Sequence, residues 1–300
     1  MTKSSKFARG FTLIELLVAM TVTIILLGVL VYLTSVSMDT YRDSRNEVRA
    51  SRQAKEALET IAKDLESMIS RRDGNTHEWA YAGAEPRGLQ GPNGREVTNA
   101  SQLIFFTGAT DRYNGQIGVN GVDNGGDVSA VGYRLVYRDQ IGNTDADEYA
   151  VFSMYRNLVN PDEAFDLLAV PDLKAAYRAE FNDSKELTAE NFLVENIYEF
   201  TVTFLVEYVE NDVTKIERVT LRQNGASNYT EFRLKGNEIV ALGGSNASKI
   251  TSGRIAGAEI SITVVSDRGL TMAKKTGMDR EDILKKHCYH YTKTITTPRP

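Results

Sequence analysis

One acidic side chain, Glu15, interrupts an apolar run that extends from Phe11 to Leu33. A charged side chain at the centre of a bilayer costs about 2.5–3.5 kcal/mol on insertion scales, and less near the end of a span. A carboxylate that leaves water is tolerated when a cation pairs with it. The chemistry that we predict for Glu15 is therefore an ion pair whose positive partner has to be identified.

Metal-binding residue types cluster near the C-terminus, where His287, Cys288 and His290 offer the donor atoms that zinc prefers. On a strand, Cys288 and His290 would share one face, while His287 would point to the other. The remaining histidine, His77, is distant in the sequence. We therefore expect ordinary strand or helix-end residues here and no metal site.

Two oxygen-rich stretches, Asp123–Asp127 and Asn143–Glu148, carry carboxylates of the kind that calcium binds. The candidate calcium ligands are Asp123, Asp127, Asp145 and Asp147. Neither stretch has the alternating acids, central Gly and closing Glu of an EF-hand loop. We favour solvated turns, keep calcium as the alternative, and expect no other cofactor.

Catalytic motifs are absent from the sequence. The stretch "GQIGVNG" lacks the Lys-Ser/Thr pair that completes a phosphate-binding loop. Neither a Gly-x-Ser-x-Gly elbow nor a His-Glu-x-x-His zinc motif occurs. We therefore predict that the protein is not an enzyme.

The charge distribution separates a basic leader from an acidic remainder. The net charge is −5, although Lys3, Lys6 and Arg9 make the first ten residues positive. General nucleic-acid binding draws its affinity from neutralising phosphates. Because the chain after Gly10 is acidic, we expect no such binding.

The apolar run is long enough to cross a membrane, since a helix over Phe11–Leu33 would measure about 35 Å and a bilayer core about 30 Å. Basic residues precede this run, and the first acid after it is Asp39. The positive-inside rule then places residues 1–10 in the cytoplasm and the chain after Thr34 outside. A cleaved secretory signal would have a shorter apolar region of about 7–15 residues, and a plain single-pass anchor leaves Glu15 unexplained.

The stretch "KFARGFTLIELLVAM" resembles the N-terminal signal of type IV pilins and type II secretion pseudopilins. In that family a prepilin peptidase cuts after the Gly that ends a basic leader and then methylates the new N-terminus. The resemblance implies cleavage between Gly10 and Phe11, N-methylation of Phe11, and Glu15 as the family's acid. That acid is thought to pair with the α-amine of a neighbouring subunit and to set the axial register of the filament.

The resemblance implies a minor pseudopilin near the tip of a type II secretion pseudopilus, anchored in the bacterial inner membrane with a periplasmic domain. Its expected partners are the prepilin peptidase, other pseudopilins or pilins, the inner-membrane assembly platform and, before assembly, lipid. One alternative is a minor type IV pilin for adhesion, motility or DNA uptake. Many such pilins close a loop with a disulfide, whereas this chain has Cys288 alone. A membrane-anchored extracytoplasmic binding protein is the other alternative.

Helical periodicity continues past the membrane run, because apolar residues recur at steps of three and four: Ala54, Leu58, Ile61, Leu65 and Met68. The stretch "RRDGN" supplies basic residues and a Gly of the kind that end helices. We predict one helix from about Phe11 to Ser70. Its apolar stripe should pack on the chain's own sheet rather than on another protein.

Beyond Asp73 the apolar period changes to two, which predicts strands. The predicted strands are "QLIFFTG", the hairpin "AVGYRLVYRD" with "EYAVFSMYRN", "YEFTVTFLVEYV", "TKIERVTLR", "TEFRLKG", "EIVAL", "GAEISITVVS" and "YHYTKTITT". Short helices are predicted in the stretch 160–183 and in "DREDILKKH". The Gly- and Pro-rich stretch 76–101 is predicted to be a loop. Its Trp79 and Tyr81, together with Tyr113 in a later loop, would contact a partner or pack locally, and we favour local packing.

These predictions combine into an α+β, pilin-like fold, in which a long N-terminal helix with a transmembrane first half packs on an antiparallel sheet. The expected organisation is a removable leader (1–10), a transmembrane segment (11–33), an amphipathic half of the helix (34–72) and an extracytoplasmic β-rich domain (73–300). Three strand-bearing stretches also resemble J-type minor pseudopilins and W-type minor pilins: "GDVSAVGYRLVYRD", "FLVENIYEFTVTFL" and "AEISITVVSD".

Overall fold

The computed structural model describes these residue ranges: 12–85, 89–94, 96–97, 99–108, 127–139, 149–223, 225, 227–274 and 280–297. The chain divides into two compact units, Met1–Val48 and Arg49–Pro300. Helix α1 (Leu13–Glu66) runs through the first unit and continues into the second. The predicted α+β arrangement, a long N-terminal helix followed by antiparallel sheets, is confirmed.

Helix α1 ends at Glu66, one turn before the predicted end near Ser70. The Ser67 hydroxyl and the Ser67 backbone N–H both donate to the carbonyl of Lys63, at 2.9 and 3.3 Å, and so satisfy an acceptor of the last turn. The next residues, Met68 and Ile69, form a short strand paired with a neighbouring strand. Competition from this strand pairing explains the earlier stop.

The second unit contains the remaining elements. Its strands are β1 (Met68–Ile69), β2 (Glu78–Ala84), β3 (Leu89–Gln90), β4 (Glu96–Val97), β5 (Ser101–Thr107), β6 (Ser129–Arg138), β7 (Val151–Val159), β8 (Phe192–Glu195), β9 (Ile197–Glu210), β10 (Val213–Thr220), β11 (Tyr229–Lys235), β12 (Ile239–Gly243), β13 (Arg254–Val265) and β14 (Cys288–Thr296). Its helices are α2 (Pro161–Ala164), α3 (Leu173–Glu180), α4 (Asp183–Glu186), α5 (Asp267–Lys274) and α6 (Arg280–His287).

The named strands form two main antiparallel sheets. The larger has the order β12-β11-β2-β5-β6-β7-β8, with β1 added beside β5, and the smaller has the order β10-β9-β13-β14. The predicted hairpin is present as β6 and β7, in which Tyr133 lies opposite Arg156. Strands β3 and β4 pair with each other in a separate two-stranded ribbon.

The main core lies between the sheets and the second half of α1. The predicted stripe is buried there, with Ala54, Ile61 and Leu65 inaccessible to solvent. Phe204 of the small sheet and Phe232 of the large sheet stack with ring centroids 4.4 Å apart. This part of the helix therefore packs on the chain's own sheets, as expected.

One predicted loop is instead a strand, because Glu78–Ala84 forms β2 between β11 and β5. Its Ala80, Ala82 and Gly83 have low strand propensity, which is why the sequence pattern favoured a loop. Ala80 and Ala82 face the main core and are fully buried. Tertiary packing of small residues therefore decided the structure of this segment.

The aromatic residues of this segment lie on β2 and not in a loop. Tyr81 is only 2% exposed. The Trp79 ring meets Phe106 edge-on, with centroids 5.9 Å apart. Local packing, the interpretation favoured from the sequence, accounts for both, while Tyr113 lies outside the described residues.

Candidate functional site

The site predicted from the sequence is the start of α1, and the structure describes it from Thr12 onward. The leader residues Lys3, Lys6 and Arg9 lie outside the described residues, as do both sides of the predicted cleavage point, Gly10 and Phe11. Glu15 lies in the first turn of the helix.

Glu15 and Thr12 form a reciprocal capping box at the N-terminus of α1. The Glu15 Oε2 atom accepts hydrogen bonds from the backbone N–H of Thr12 at 2.9 Å and from its hydroxyl at 2.8 Å. In return, the Thr12 hydroxyl accepts the backbone N–H of Glu15 at 3.3 Å. Ser or Thr followed three residues later by Glu satisfies two helix N-terminal donors in this way.

Thr12 was missed as a functional candidate when the sequence was interpreted, although the spacing Thr-x-x-Glu is the signature of a capping box. Within the described residues, its two hydrogen bonds occupy Oε2 of Glu15, and Oε1 has no hydrogen bond. The carboxylate is thus held in one orientation and keeps an acceptor for another donor. An α-amine or another cation fits that acceptor.

The helix surface around this site is apolar and exposed. Large apolar side chains from Leu13 to Leu33 are each exposed over about half of their surface or more. Among the described residues, one helix, α1, is both long enough and apolar enough to cross a membrane, and its most apolar window has a mean hydropathy of 2.7. The hydroxyls of Thr21 and Thr23 donate to carbonyls one turn earlier, at 2.9 and 2.8 Å, as polar groups in lipid require.

In the second unit, α1 is joined to the large sheet through a buried ion pair. Asp64 is 0% exposed and Arg156 is 2% exposed. Oδ1 and Oδ2 of Asp64 accept bonds from the guanidinium of Arg156 at 2.7 Å each. The Tyr133 hydroxyl donates to Oδ2 as well, and burial, followed by the Asp64 charge, raises the pKa of Tyr133 well above its usual value.

A second polar contact holds α1 where the second unit begins. The Arg49 guanidinium reaches Glu195 at the end of β8 and Asp267 at the start of α5, each at 2.5 Å. These three side chains are 38–58% exposed, so their pairing is weak compared with the buried one. Together the two contacts fix the helix residues of this unit to the larger sheet and to the start of α5.

The other candidates from the sequence do not come together into a site. Asp127 is exposed, and the other candidate calcium ligands, Asp123, Asp145 and Asp147, lie outside the described residues. Within the described ranges, no group of three His, Cys, Asp or Glu side chains is arranged to hold a metal ion.

The C-terminal histidine and cysteine have local partners. The His290 ring lies between the hydroxyls of Ser261 and Thr263, at 2.9 Å from each. Burial raises the pKa of the Cys288 thiol to about 12. Cys288 and His290 lie on β14, whereas His287 is the last residue of α6.

Residues 5–31 match the family model described as the prokaryotic N-terminal methylation motif. No curated protein and no solved structure matches the chain. The matched residues cover the start of α1, including Thr12 and Glu15. The apolar helix and this motif are consistent with a single-pass inner-membrane anchor. Together, the methylation motif, the long N-terminal helix and the β-rich domain after it are consistent with a type IV pilin-like protein.

Proposed function

We propose that the protein is a minor pseudopilin, a structural and non-catalytic subunit near the tip of a type II secretion pseudopilus. The main support for this proposal is the methylation motif over residues 5–31, whose one acid, Glu15, is already oriented by Thr12. The length of 300 residues and the large β-rich domain favour a minor subunit over the smaller major ones.

In this proposal the chain is inserted with its basic leader in the cytoplasm and its β-rich domain in the periplasm. The prepilin peptidase cuts between Gly10 and Phe11 and methylates the Phe11 amine. A free α-amine has a pKa near 8 and is largely protonated at neutral pH. The assembly platform then places the Glu15 carboxylate of one subunit beside the amine of the next.

A charge that has no partner in an apolar environment is strongly destabilising. Oε2 of Glu15 is occupied by Thr12, and Oε1 is the acceptor that a neighbour's amine would reach. A subunit shifted along the filament axis would leave the carboxylate without its cation. The pairing therefore favours one axial register.

Processing is tested with Gly10→Val, which puts a branched side chain beside the scissile bond. We expect this variant to insert in the membrane but to keep its leader, as seen by its mobility on a gel. Normal processing of Gly10→Val would contradict the proposal that a prepilin peptidase cuts this chain between Gly10 and Phe11.

Assembly is tested separately with Glu15→Ala. This variant should be inserted and cut like the wild type but should not be recovered beside other subunits. Glu163→Ala, which removes an exposed acid on α2, is the matched control and should assemble normally. Incorporation of Glu15→Ala at the wild-type level would refute the register function of the acid.

A minor type IV pilin is the second candidate, because the same N-terminal motif serves both machines. This chain has Cys288 as its one cysteine, whereas many type IV pilins have a disulfide, and this difference favours the pseudopilin. Neighbouring genes distinguish the two: secretion ATPase and secretin genes without a retraction ATPase gene support the pseudopilin. An anchored extracytoplasmic binding protein remains the candidate if Phe11 is never exposed as an N-terminus.

A further inference from the structure

Several asparagines in the sequence stand two residues before a Ser or Thr with no Pro between them, which is the pattern of an N-glycosylation acceptor. They are Asn99, Asn182, Asn228 and Asn246. All of them lie in the second, β-rich unit, the part of the chain that the proposed function places outside the cytoplasm. Because the pattern is short and recurs by chance, each asparagine has to be judged by its exposure and its hydrogen bonds.

Three of these asparagines are poor acceptors in the folded chain. The side-chain nitrogen of Asn99 donates to Glu199 at 3.3 Å, and the serine that completes its motif is only 2% exposed. The side-chain nitrogen of Asn246 donates to Glu217 at 3.0 Å. Asn228 is half-buried, and the tyrosine that follows it is inaccessible to solvent. In each case the nitrogen that would react is engaged, or the motif around it is covered.

Asn182 differs from the other three in both respects. It begins a run of four exposed residues, 182–185. Its Oδ1 atom accepts the backbone N–H of Ser184 at 3.1 Å and the Ser184 hydroxyl at 2.6 Å. Within the described residues, its side-chain nitrogen Nδ2 donates no hydrogen bond. The nitrogen that N-glycosylation modifies is therefore uncommitted, and it belongs to an exposed side chain.

The residues on both sides of Asn182 anchor it to the domain. Arg134 of β6 donates to Asp183 at 2.5 Å and to Glu186 at 3.1 Å, and Glu186 is only 3% exposed. Phe181, directly before the acceptor, belongs to a buried apolar cluster. A glycan on Asn182 would therefore extend into solvent without disturbing the core.

We propose that Asn182 is an N-glycosylation site, modified after the domain has crossed the membrane. The donor is an oligosaccharide carried on a polyprenyl diphosphate, and an oligosaccharyltransferase catalyses the transfer. A bond forms between Nδ2 of Asn182 and the anomeric carbon of the sugar, and the bond from that carbon to the diphosphate oxygen breaks. The lipid diphosphate leaves with the bonding electron pair, and the amide nitrogen gives one proton to a base of the transferase.

The inference rests on the proposed function, because that function places the domain on the side of the membrane where the sugar is transferred. The membrane anchor of this chain and the lipid of the donor would lie in the same bilayer. The acceptor is thereby confined to the membrane surface at which the donor is presented.

The test is mass spectrometry of tryptic peptides from the full-length chain, purified from its host membrane. In the wild type, the peptide of residues 179–185 should carry the added mass of an oligosaccharide. Asn182→Gln and Ser184→Ala should each lose that mass, whereas Ser184→Thr should keep it, because Thr also supplies the hydroxyl of the motif. Ser184→Ala preserves the backbone bond to Asn182, so its loss of sugar would not reflect a disrupted turn.

The matched control is Asn246→Gln, which removes an acceptor motif whose nitrogen is already bonded. This variant should keep the sugar on the 179–185 peptide at the wild-type level. An unmodified 179–185 peptide in the wild type would overturn the site. An added mass that persists in Asn182→Gln or in Ser184→Ala would also overturn it, since the modification would then be of another kind.

The N-terminal peptide is identified in the same digest, which separates the two proposals. Methylated Phe11 together with an unmodified 179–185 peptide refutes the glycosylation site alone. A glycosylated Asn182 on a chain that still begins at Met1 refutes the proposed function and leaves the glycosylation site standing.

Discussion

The strongest single anchor between α1 and the large sheet is predicted to be the buried pair of Asp64 and Arg156. Two bonds of 2.7 Å join them, and almost none of either side chain reaches solvent. Arg156→Met removes the cation and leaves the carboxylate buried with the Tyr133 hydroxyl. Breaking a buried pair in this way costs about 3–5 kcal/mol, a large share of the 5–15 kcal/mol that stabilises a typical domain.

The assay is urea unfolding of the full chain in detergent, followed by the fluorescence of Trp79, the sole tryptophan. Asp64→Leu combined with Arg156→Met replaces the whole pair with apolar groups, so it should be less destabilised than Arg156→Met alone. Lys185→Met removes one member of an exposed pair and should change the free energy of unfolding by less than about 1 kcal/mol. A loss below about 1 kcal/mol for Arg156→Met would show that the buried pair is not a strong anchor between α1 and the large sheet.

Three further predictions concern separate features. Thr12→Val should reduce filament incorporation, and Thr12→Ser should retain it, because only a hydroxyl completes the capping box with Glu15; equal incorporation in a cross-linking assay would contradict this. Gly132→Ala should lower the free energy of unfolding measured in urea by about 1–3 kcal/mol, since its Cβ would lie 2.2 Å from the Tyr177 hydroxyl; an unchanged unfolding midpoint would contradict this expectation. The native Cys288 thiol, with its pKa raised to about 12, should react with iodoacetamide at pH 8 at least about tenfold more slowly than in urea; equal rates would show that burial does not protect it.

Elements with strong apolar periodicity could be predicted from the sequence. The long helix follows from an uninterrupted apolar run and a stripe at steps of three and four, and the buried residues Ala54, Ile61 and Leu65 match that stripe. The strand β9 follows from the alternation in "YEFTVTFLVEYV". The local spacing of apolar residues is sufficient to predict a helix or strand when one face of that element is buried along its whole length.

The sequence was insufficient where packing between distant residues decides the structure. Strand β2 has small residues that suit the crowded core but lack strand propensity. The partner of Asp64 lies on β7, so their pairing exists only once the sheet is formed. Thr12 is different, because its capping box is a local motif and was open to prediction from the sequence.

The central claim is that the chain becomes a filament subunit by cleavage before Phe11, which is tested most directly by mass spectrometry of the N-terminus. The protein is expressed in its host, extracted from the membrane and digested. We expect an N-terminal peptide that begins with N-methylated Phe11. A peptide that begins at Met1, or a mature chain cut after Leu33, would contradict it.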